Sequence, residues 1–516
     1  MIPNTSENNK RIVKNTLFLY FRQILIIMVS LYTVRIVLNA LGKSDYGIFN
    51  VVGGFVAMFN ILSGALSVAI GRFITYEMGQ KGNDITQLQK IFSSAVIIQV
   101  VIGIVICILM GTFGIWFIEH KLIIPVDRLD AASYVLLFST ASFFFTLISV
   151  PYNALIIAHE QMKAFAYIGI VEVVLKLFVA YLLIVLSCDK LILYGLCLVC
   201  VSLVIRTIYV LYCKRHFAEC RFTFELDKRL LSQIFVFSGW AFLGNGSFVV
   251  KEHGVNILLN MFCGPVVNAA RGITSQVTTA VTLFVSNFMQ AVNPQITKSY
   301  SSGDLENMHR LIFKSSRFSF YLLLLLSIPL MKYIDYILSL WLVSVPEHTG
   351  IFVQLLLVFC LMDCLVTPLM IGLLAEGNIR IYEIALVLLN GSNVIFSYLA
   401  LKNGFVPESV YVVSIVVEIG IMWSRIQLSG KAYGLPVKKY YIEVIGRVGI
   451  VAAVAAFFAY FISLPIENLF GQFIAVSVVI VLFTAGVIYI IGLGNSERIF
   501  ILRQIKNRFS HFRPLN

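Results

Sequence analysis

A water-soluble globule needs a charged coat, and this chain has too little charge to build one. Only 13% of its 516 residues are Asp, Glu, Lys or Arg, against 59% hydrophobic, and the mean hydropathy is +0.90. That balance excludes a soluble multidomain protein. Acids are scarcer than bases, 26 against 39, which leaves a net charge of +13. Catalytic signatures are missing as well. Gly42-Lys43-Ser44 lacks the upstream glycine of a phosphate-binding loop, because position 37 is Val37, so ATP is not hydrolysed by that route. There is no HExxH, no GxSxG and no paired-carboxylate constellation, and the seven histidines are scattered; His159 beside Glu160 reads as a solvated loop residue. The nine cysteines lie mostly in apolar contexts, and Cys197-x2-Cys200 has no second half for a zinc site, so they read as packing residues. No catalytic residue, metal ligand or cofactor is expected, and the chain does not read as an enzyme.

Long apolar runs are what the chain does have. Ile97–Ile118 and Gln472–Leu493 can each cross a hydrocarbon core of about 30 Å. Polar breaks between such runs divide the chain into about fourteen transmembrane helices: 15–41, 46–72, 91–118, 130–158, 164–187, 190–213, 232–262, 266–297, 314–343, 350–375, 380–401, 408–430, 441–463 and 468–493. The seventh and eighth are the most interrupted, by Gly, Asn and charged residues. The fold class is an all-α polytopic membrane protein. The first apolar run, Leu17–Leu41, is too long for a signal-peptide core and lacks a small-residue cleavage pattern, so it is expected to be retained.

Positive charge sets the expected orientation. The odd-to-even connections carry only Lys43, Lys121, Arg128, Lys190 and Lys402. The other loop cations fall on the side shared by both termini and the even-to-odd connections, so both termini are expected in the cytoplasm. Spread over many short loops, these cations do not form a nucleic-acid surface. Stretches 73–90, 214–231 and 298–313 resemble amphipathic interfacial segments in contact with membrane lipids.

The chain also repeats itself. Pro151, Ala158 and Lys163 return as Pro368, Ala375 and Arg380, each 217 residues on. Asn39, Gly82, Ile91, Phe92 and Ser94 return as Asn260, Gly303, Ile312, Phe313 and Ser315, each 221 residues on. The offset spans six helices, an even number, so the halves share one orientation and form a parallel repeat. The expected domains are a six-helix bundle at 1–213, a cytoplasmic linker at 214–231, a second bundle at 232–430, and helices thirteen and fourteen with a basic tail at 431–516. Duplicated membrane units are a recurrent design of carriers, with the binding site placed between the repeats.

Once the cations of loops and span ends are set aside, Arg425 counted among them, seven remain within the spans: Arg22, Arg35, Lys176, Arg206, Lys251, Arg271 and Lys332. Each costs about 2.5–3.5 kcal/mol at the bilayer centre unless it is paired, wet or interfacial. Lys176 follows Glu172 by one helical turn, Lys332 precedes Asp335 by three residues, and Arg206 lies near a span end. These three read as structural. Arg22, Arg35, Lys251 and Arg271 have no such easy escape. Lys251 sits in Lys251-Glu252-His253, on a helix expected to be loosened by Gly239, Gly244, Gly246 and Gly254. Two readings fit these four, an anion-binding cavity or scattered structural charges. Arg22 and Arg35 project about 140° apart on a straight helix and cannot both face one cavity unless it bends. None of the four is duplicated: Arg22 falls on Leu243, Arg35 on Asn256, Lys251 on Ser30 and Arg271 on Asn50. Among the acids, Asp363 and Glu418 look isolated. With Glu252 they are candidates for coupling to protons or sodium; hydrogen-bonded acids between helices are the equal alternative.

The segments Asn15-Thr-Leu-x-Leu-Tyr-Phe-Arg22, Tyr32-Thr-x-Arg35-x-Val-Leu-Asn39-x-Leu-Gly42 and Asp45-Tyr-Gly-Ile-x-Asn50-Val-Val-Gly-Gly54 resemble the polysaccharide flippases of bacterial O-antigen and capsule pathways. These belong to an exporter superfamily that also holds multidrug extruders and the lipid II flippase. The resemblance implies transport of an undecaprenyl-pyrophosphate-linked oligosaccharide from the cytoplasmic to the periplasmic leaflet of the inner membrane, by alternating access. It also implies glycan polymerase and assembly proteins as partners, and basic residues lining a cavity on helices comparable to those bearing Arg22, Arg35, Lys251 and Arg271. A cation-coupled extruder of the same superfamily would need acids more than cations. A membrane glycan polymerase or ligase would carry a long outer loop, whereas the longest here is about a dozen residues, around Glu119–Asp130.

Overall fold

The structure, a computed structural model, describes residues 5–80, 84–121, 124–186, 188–222, 227–342, 345–465, 468–494 and 497–499. The basic tail beyond residue 499, residues 223–226 of the expected linker, and Gly82 of the repeat lie outside the described residues.

Among the described residues the fold is all helix. Twelve helices are long and apolar enough to span a membrane, and one bent pair adds a thirteenth. In chain order they are α1 (Asn15–Gly42), α2 (the pair Asp45–Val56 and Asn60–Gly79, bent by 44°), α3 (Ile85–His120), α4 (Val126–Ala158), α5 (Met162–Val185), α6 (Lys190–His216) and α7 (Lys228–Gly264). α8 follows at 265–301 within the same helical stretch as α7. Then come α9 (Leu305–Lys332), α10 (Thr349–Glu376), α11 (Arg380–Lys402), α12 (Ser409–Tyr433), α13 (Val437–Phe461) and α14 (Leu469–Gly492). α8 is the exception to the apolar rule. It carries Asn268, Arg271, Thr274, Ser275, Thr278, Thr279 and Thr282 in about four turns, and its threonine hydroxyls return their hydrogen bonds to carbonyls one turn back.

Two glycines make junctions that no L side chain tolerates easily. Gly42 (φ 77°, ψ 172°) separates α1 from α2, and Gly264 (φ 83°, ψ −179°) separates α7 from α8. They lie 222 residues apart and adopt nearly the same conformation, so the duplication copied a backbone break. A second copied device follows the proline block. α4 ends at Ala158 and the chain turns through Glu160 at φ 57°; α10 ends at Glu376 and turns through Gly377 at φ 100°. These two left-handed residues are again 217 apart, but only one is glycine. The proline itself acts differently in the two copies. Pro151 opens a fresh helical segment after a break at Ile148–Ser149, whereas Pro368 lies inside an unbroken helix.

The chain forms two compact units. The N-terminal unit comprises Ile12–Gly246 and Thr297–Gly303; the C-terminal unit comprises Ser247–Ile296 and the chain from Asp304. Within the N-terminal unit α4 packs on α2, α3 and α6, and α5 on α6. Arg128 ties the N-terminal ends of α2, α4 and α6 together, bonding Asp45 at 2.9 Å and Asp189 at 2.6 Å, while Asp189 also caps α6. Within the C-terminal unit α12 packs on α10 and α11, and α9 on α10, α13 and α14. α9 is the most enclosed span, with 72% of its most apolar window buried against 44% or less elsewhere. Helices α13 and α14 therefore cover α9 instead of hanging beside the bundle. Lys332 reinforces this contact. Expected to pair with Asp335, it donates to the carbonyls of Ala459 (2.5 Å) and Ile462 (2.8 Å) at the end of α13, which are unpaired acceptors at a helix C-terminus.

Several of the repeated residues are core residues in both copies, whereas Asn39 and Asn260, and Lys163 and Arg380, are exposed. Ile91, Phe92 and Ser94 are buried in one unit, and Ile312, Phe313 and Ser315 in the other. Phe92 meets Tyr152 edge-on at 5.1 Å, and Phe313 meets Tyr440 edge-on at 5.4 Å.

Candidate functional site

α7 is a continuous helix through the glycines that were expected to loosen it. Gly239 and Gly246 border open space, while Gly254 lets α7 approach Val394 of α11. The break at Gly264 then turns the chain so that Arg271, seven residues beyond it, meets Glu252, twelve residues before it. An apolar cluster including Val255, Leu259, Val267, Ala270, Phe352 and Tyr411 holds the two arms against α10 and α12.

Glu252 is the hub of this site. Arg271 donates to its carboxylate at 2.7 Å and to its backbone carbonyl at 3.1 Å. The Lys251 ammonium lies 3.7 Å from the other carboxylate oxygen. Lys251 and Arg271, which looked unpaired in sequence, thus share one acid. Adjacent helical residues diverge by about 100°, yet long side chains bring Lys251 and Glu252 back together. Both cations are nearly closed off, with side chains 4% and 10% exposed, whereas the Glu252 side chain is 43% exposed. Lys251 is flanked by the rings of Phe248 (4.5 Å) and Phe359 (4.9 Å), and the Arg271 guanidinium lies 5.9 Å from the Tyr411 ring. Beside these groups is a cavity of about 20 Å³, reached also by Ser275 and Ser414, room for about one water.

A second charged group occupies α10, α11 and α12 of the same unit. Asp363, expected to be isolated, accepts from Arg425 at 3.0 Å. Arg425 was grouped with the loop cations; it is instead buried within α12, 5.9 Å from the Tyr382 ring. Glu418 is 2% exposed, and one of its carboxylate oxygens has no hydrogen-bond partner among the described residues. The charges acting on it are those of Asp363, Arg425 and Lys251. Glu383 is buried on α11 within the field of Arg425.

Arg22 and Arg35 belong to the N-terminal unit. The Arg22 guanidinium stacks 4.3 Å over Phe165 of α5, its stem against Gly169, and its Nε is buried without a hydrogen-bond partner among the described residues. Arg35 is exposed on α1. Lys176 pairs with Glu172 at 2.6 Å, as their spacing implied. His159 is not a free loop residue: it stacks on Phe217 and pairs with Glu219. Burial pushes the Glu219 carboxyl up, but the His159 hydrogen bond, a backbone N–H and the His159 charge together hold it below the usual carboxylate range. A cavity of about 830 Å³ nearby is lined by Lys214, Arg215, His216 and Arg221 over Phe92 and Tyr152.

Residues 12–300 match the family described as "Polysaccharide biosynthesis protein", which is more than half of the chain. The chain belongs to that family. No curated protein matches it, but solved structures do. A multidrug resistance MATE family transporter of the MOP superfamily, in its outward-facing conformation, aligns with a TM-score of 0.69 at 15% identity, over 82% of this chain and 96% of its own. MATE in complex with MaD3S aligns with a TM-score of 0.68 at 17% identity, over 84% and 97%. A MOP superfamily transporter from Pyrococcus furiosus Vc1 (DSM3638), described as having a binding pocket of reverse polarity that suggests a different function, aligns with a TM-score of 0.66 at 16% identity, over 82% and 96%. At such identities the likeness is one of fold. The chain is a multi-pass membrane protein of the polysaccharide biosynthesis family, with the fold of those solved transporters.

In this chain, sequence reasoning missed Arg425, Glu383 and Tyr382. The apolar period of α12 placed Arg425 close to a span end, and nothing local signalled that Asp363, on another helix, faces it. A signal was available for Gly264, which falls one residue from the repeat image of Gly42. The charge balance also changes. In the two charged groups of the C-terminal unit, the four acids Glu252, Asp363, Glu383 and Glu418 stand against the three cations Lys251, Arg271 and Arg425, so the ratio no longer separates a glycan carrier from a drug extruder.

Proposed function

We propose that this transporter flips an undecaprenyl-pyrophosphate-linked oligosaccharide from the cytoplasmic to the periplasmic leaflet of the bacterial inner membrane by alternating access, with both termini in the cytoplasm. Lys251 and Arg271 of the C-terminal unit bind the pyrophosphate head, Arg22 and Arg35 of the N-terminal unit are further substrate-binding cations, and Asp363 and Glu418 are the acids that carry a coupled proton or sodium ion. The observation that carries this reading is the convergence of a buried lysine and a buried arginine on a single carboxylate inside the spans. Membership in a polysaccharide biosynthesis family supports a glycan substrate. Two desolvated cations beside aromatic faces suit a diphosphate attached to sugars: the guanidinium offers paired donors to phosphate oxygens, and Phe248, Phe359 and Tyr411 offer apolar faces.

A cation-coupled extruder is the second reading, favoured by the buried acids Glu418 and Glu383 and the half-exposed Asp363. Lys251→Ala and Arg22→Ala separate the two. Each is expected to lower surface polysaccharide by about tenfold, the value of one charge-assisted contact, with membrane abundance of the protein unchanged. Normal export by both variants would remove the anion-binding reading and leave the extruder.

A further inference from the structure

We propose that Glu252 is a built-in substitute for the substrate's phosphate, an internal counter-anion that holds Lys251 and Arg271 when the site is empty and is displaced when the head group arrives. This deepens, and rests on, the reading that the site takes a pyrophosphate.

The geometry that points to it is asymmetric. Lys251 and Arg271 are fixed and enclosed: one lies between two rings, the other on the far arm of the Gly264 break with a second hydrogen bond to a backbone carbonyl. Glu252 is the exposed member of the trio, with 43% of its side chain accessible. A half-exposed carboxylate has open space to swing into, whereas the two enclosed cations cannot leave. The space beside them holds about one water and no phosphate, so a phosphate gains both cations only by taking the volume and the donors that Glu252 now occupies. The bond Arg271 keeps to the Glu252 carbonyl preserves its position when the carboxylate departs.

Charge explains why such a device is useful. Removing one partner of a desolvated ion pair strands the other charge. A carrier that released its anion without a replacement would have to reset with two bare cations in a low-dielectric interior. Glu252 leaves the empty trio at one net positive charge in place of two, which eases resetting and weakens the grip on the head group enough for release. The other groups facing this trio are the Phe248 and Phe359 rings, Tyr411, Ser275 and Ser414, with Asp363, Glu418 and Arg425 forming the neighbouring charged group. Asp363 is already engaged by Arg425, so it does not substitute for Glu252.

The test uses the full-length transporter in phosphatidylglycerol-containing nanodiscs, with farnesyl pyrophosphate as the probe, comparing wild type, Glu252→Gln, Arg271→Gln and the double variant. Glu252→Gln, of nearly unchanged shape, is expected to bind the probe about tenfold tighter than wild type, because no carboxylate competes for the donors. Its ligand-free melting temperature falls, the probe raises that temperature more than it does for wild type, and polysaccharide export drops because release slows. The double variant is expected to lose the gain in affinity. Glu252→Asp, which keeps the charge on a shorter arm, is expected to fall between wild type and Glu252→Gln and guards against a folding defect in the amide variant. If wild type binds, Arg271→Gln weakens binding, and Glu252→Gln binds no tighter than wild type, the counter-anion role is overturned while the pyrophosphate site stands. If neither wild type nor Glu252→Gln binds the probe, both are overturned.

Discussion

At the residue scale, the left-handed turn after α4 shows how one position can carry backbone strain and an ion pair together. Glu160 adopts φ 57°, where its repeat counterpart is Gly377, and its carboxylate meets Lys298 at 3.1 Å while its carbonyl accepts from Asn15 at 3.2 Å. Those contacts outweigh a conformation that L residues adopt at a cost. Replacing Glu160 by Ala or by Gly removes the same carboxylate, but only Gly relieves the backbone. Glu160→Gly is therefore expected to be more stable than Glu160→Ala by about 1 kcal/mol, measured as thermal unfolding of the purified variants in detergent; equal or reversed order would show that the turn is not strained. The repeat arithmetic put these two residues in register, but a backbone angle at a glutamate has no local sequence signal. It is imposed by the partners that Glu160 meets.

At the element scale, the α7–α8 junction governs the site. Arg271 reaches Glu252 because Gly264 adopts φ 83° and ψ −179°, a region almost closed to other residues. Gly264→Ala is expected to cost about 1–3 kcal/mol and to reduce export together with stability, because the strained arm can relax only by moving Arg271. Gly239→Ala, at an exposed helical position in open space, serves as the contrast and is expected to hold or gain stability by about 0.5–1 kcal/mol. Thermal unfolding and surface polysaccharide on the same pair of variants check both statements, and equal behaviour of the two would refute the role given to the junction. Thirteen of the fourteen expected spans were readable from apolar runs; α8, expected at 266–297, is a helix over 265–301 without such a run. Its threonines obscured it as a span without making it less of a helix, since a hydroxyl can bond back to its own helix.

At the scale of the whole molecule, the proposed orientation rests on loop charge and the fourteen expected spans. A phosphatase reporter fused after Gly404 is expected to be active, and one fused after Gly303 inactive, as required if the even-to-odd connections face the cytoplasm. The opposite pattern would invert the proposed direction of transport. The duplication was legible because the copied residues are those that pack: Phe92 and Phe313 each meet a tyrosine edge-on, and core positions resist drift in volume. The role of α13 and α14 was not legible as an appended pair. Their partner α9 is buried on nearly every side, a fact about neighbours and not about either helix's own pattern.

Composition and periodicity by themselves determined that this chain lives in a membrane, that it is all helix, and that its two halves share one plan. Hydrophobic transfer and helical hydrogen bonding are local, additive properties that a sequence states outright. The tertiary structure decided the electrostatics. Whether Lys251, Arg271 and Asp363 are bare or paired depends on side chains that meet across a backbone break or between helices, at separations of a few ångströms that no spacing along the chain encodes. Charge interactions in a low-dielectric interior vary steeply with such distances, so the charges that mattered most for function were those whose state the linear chain left open.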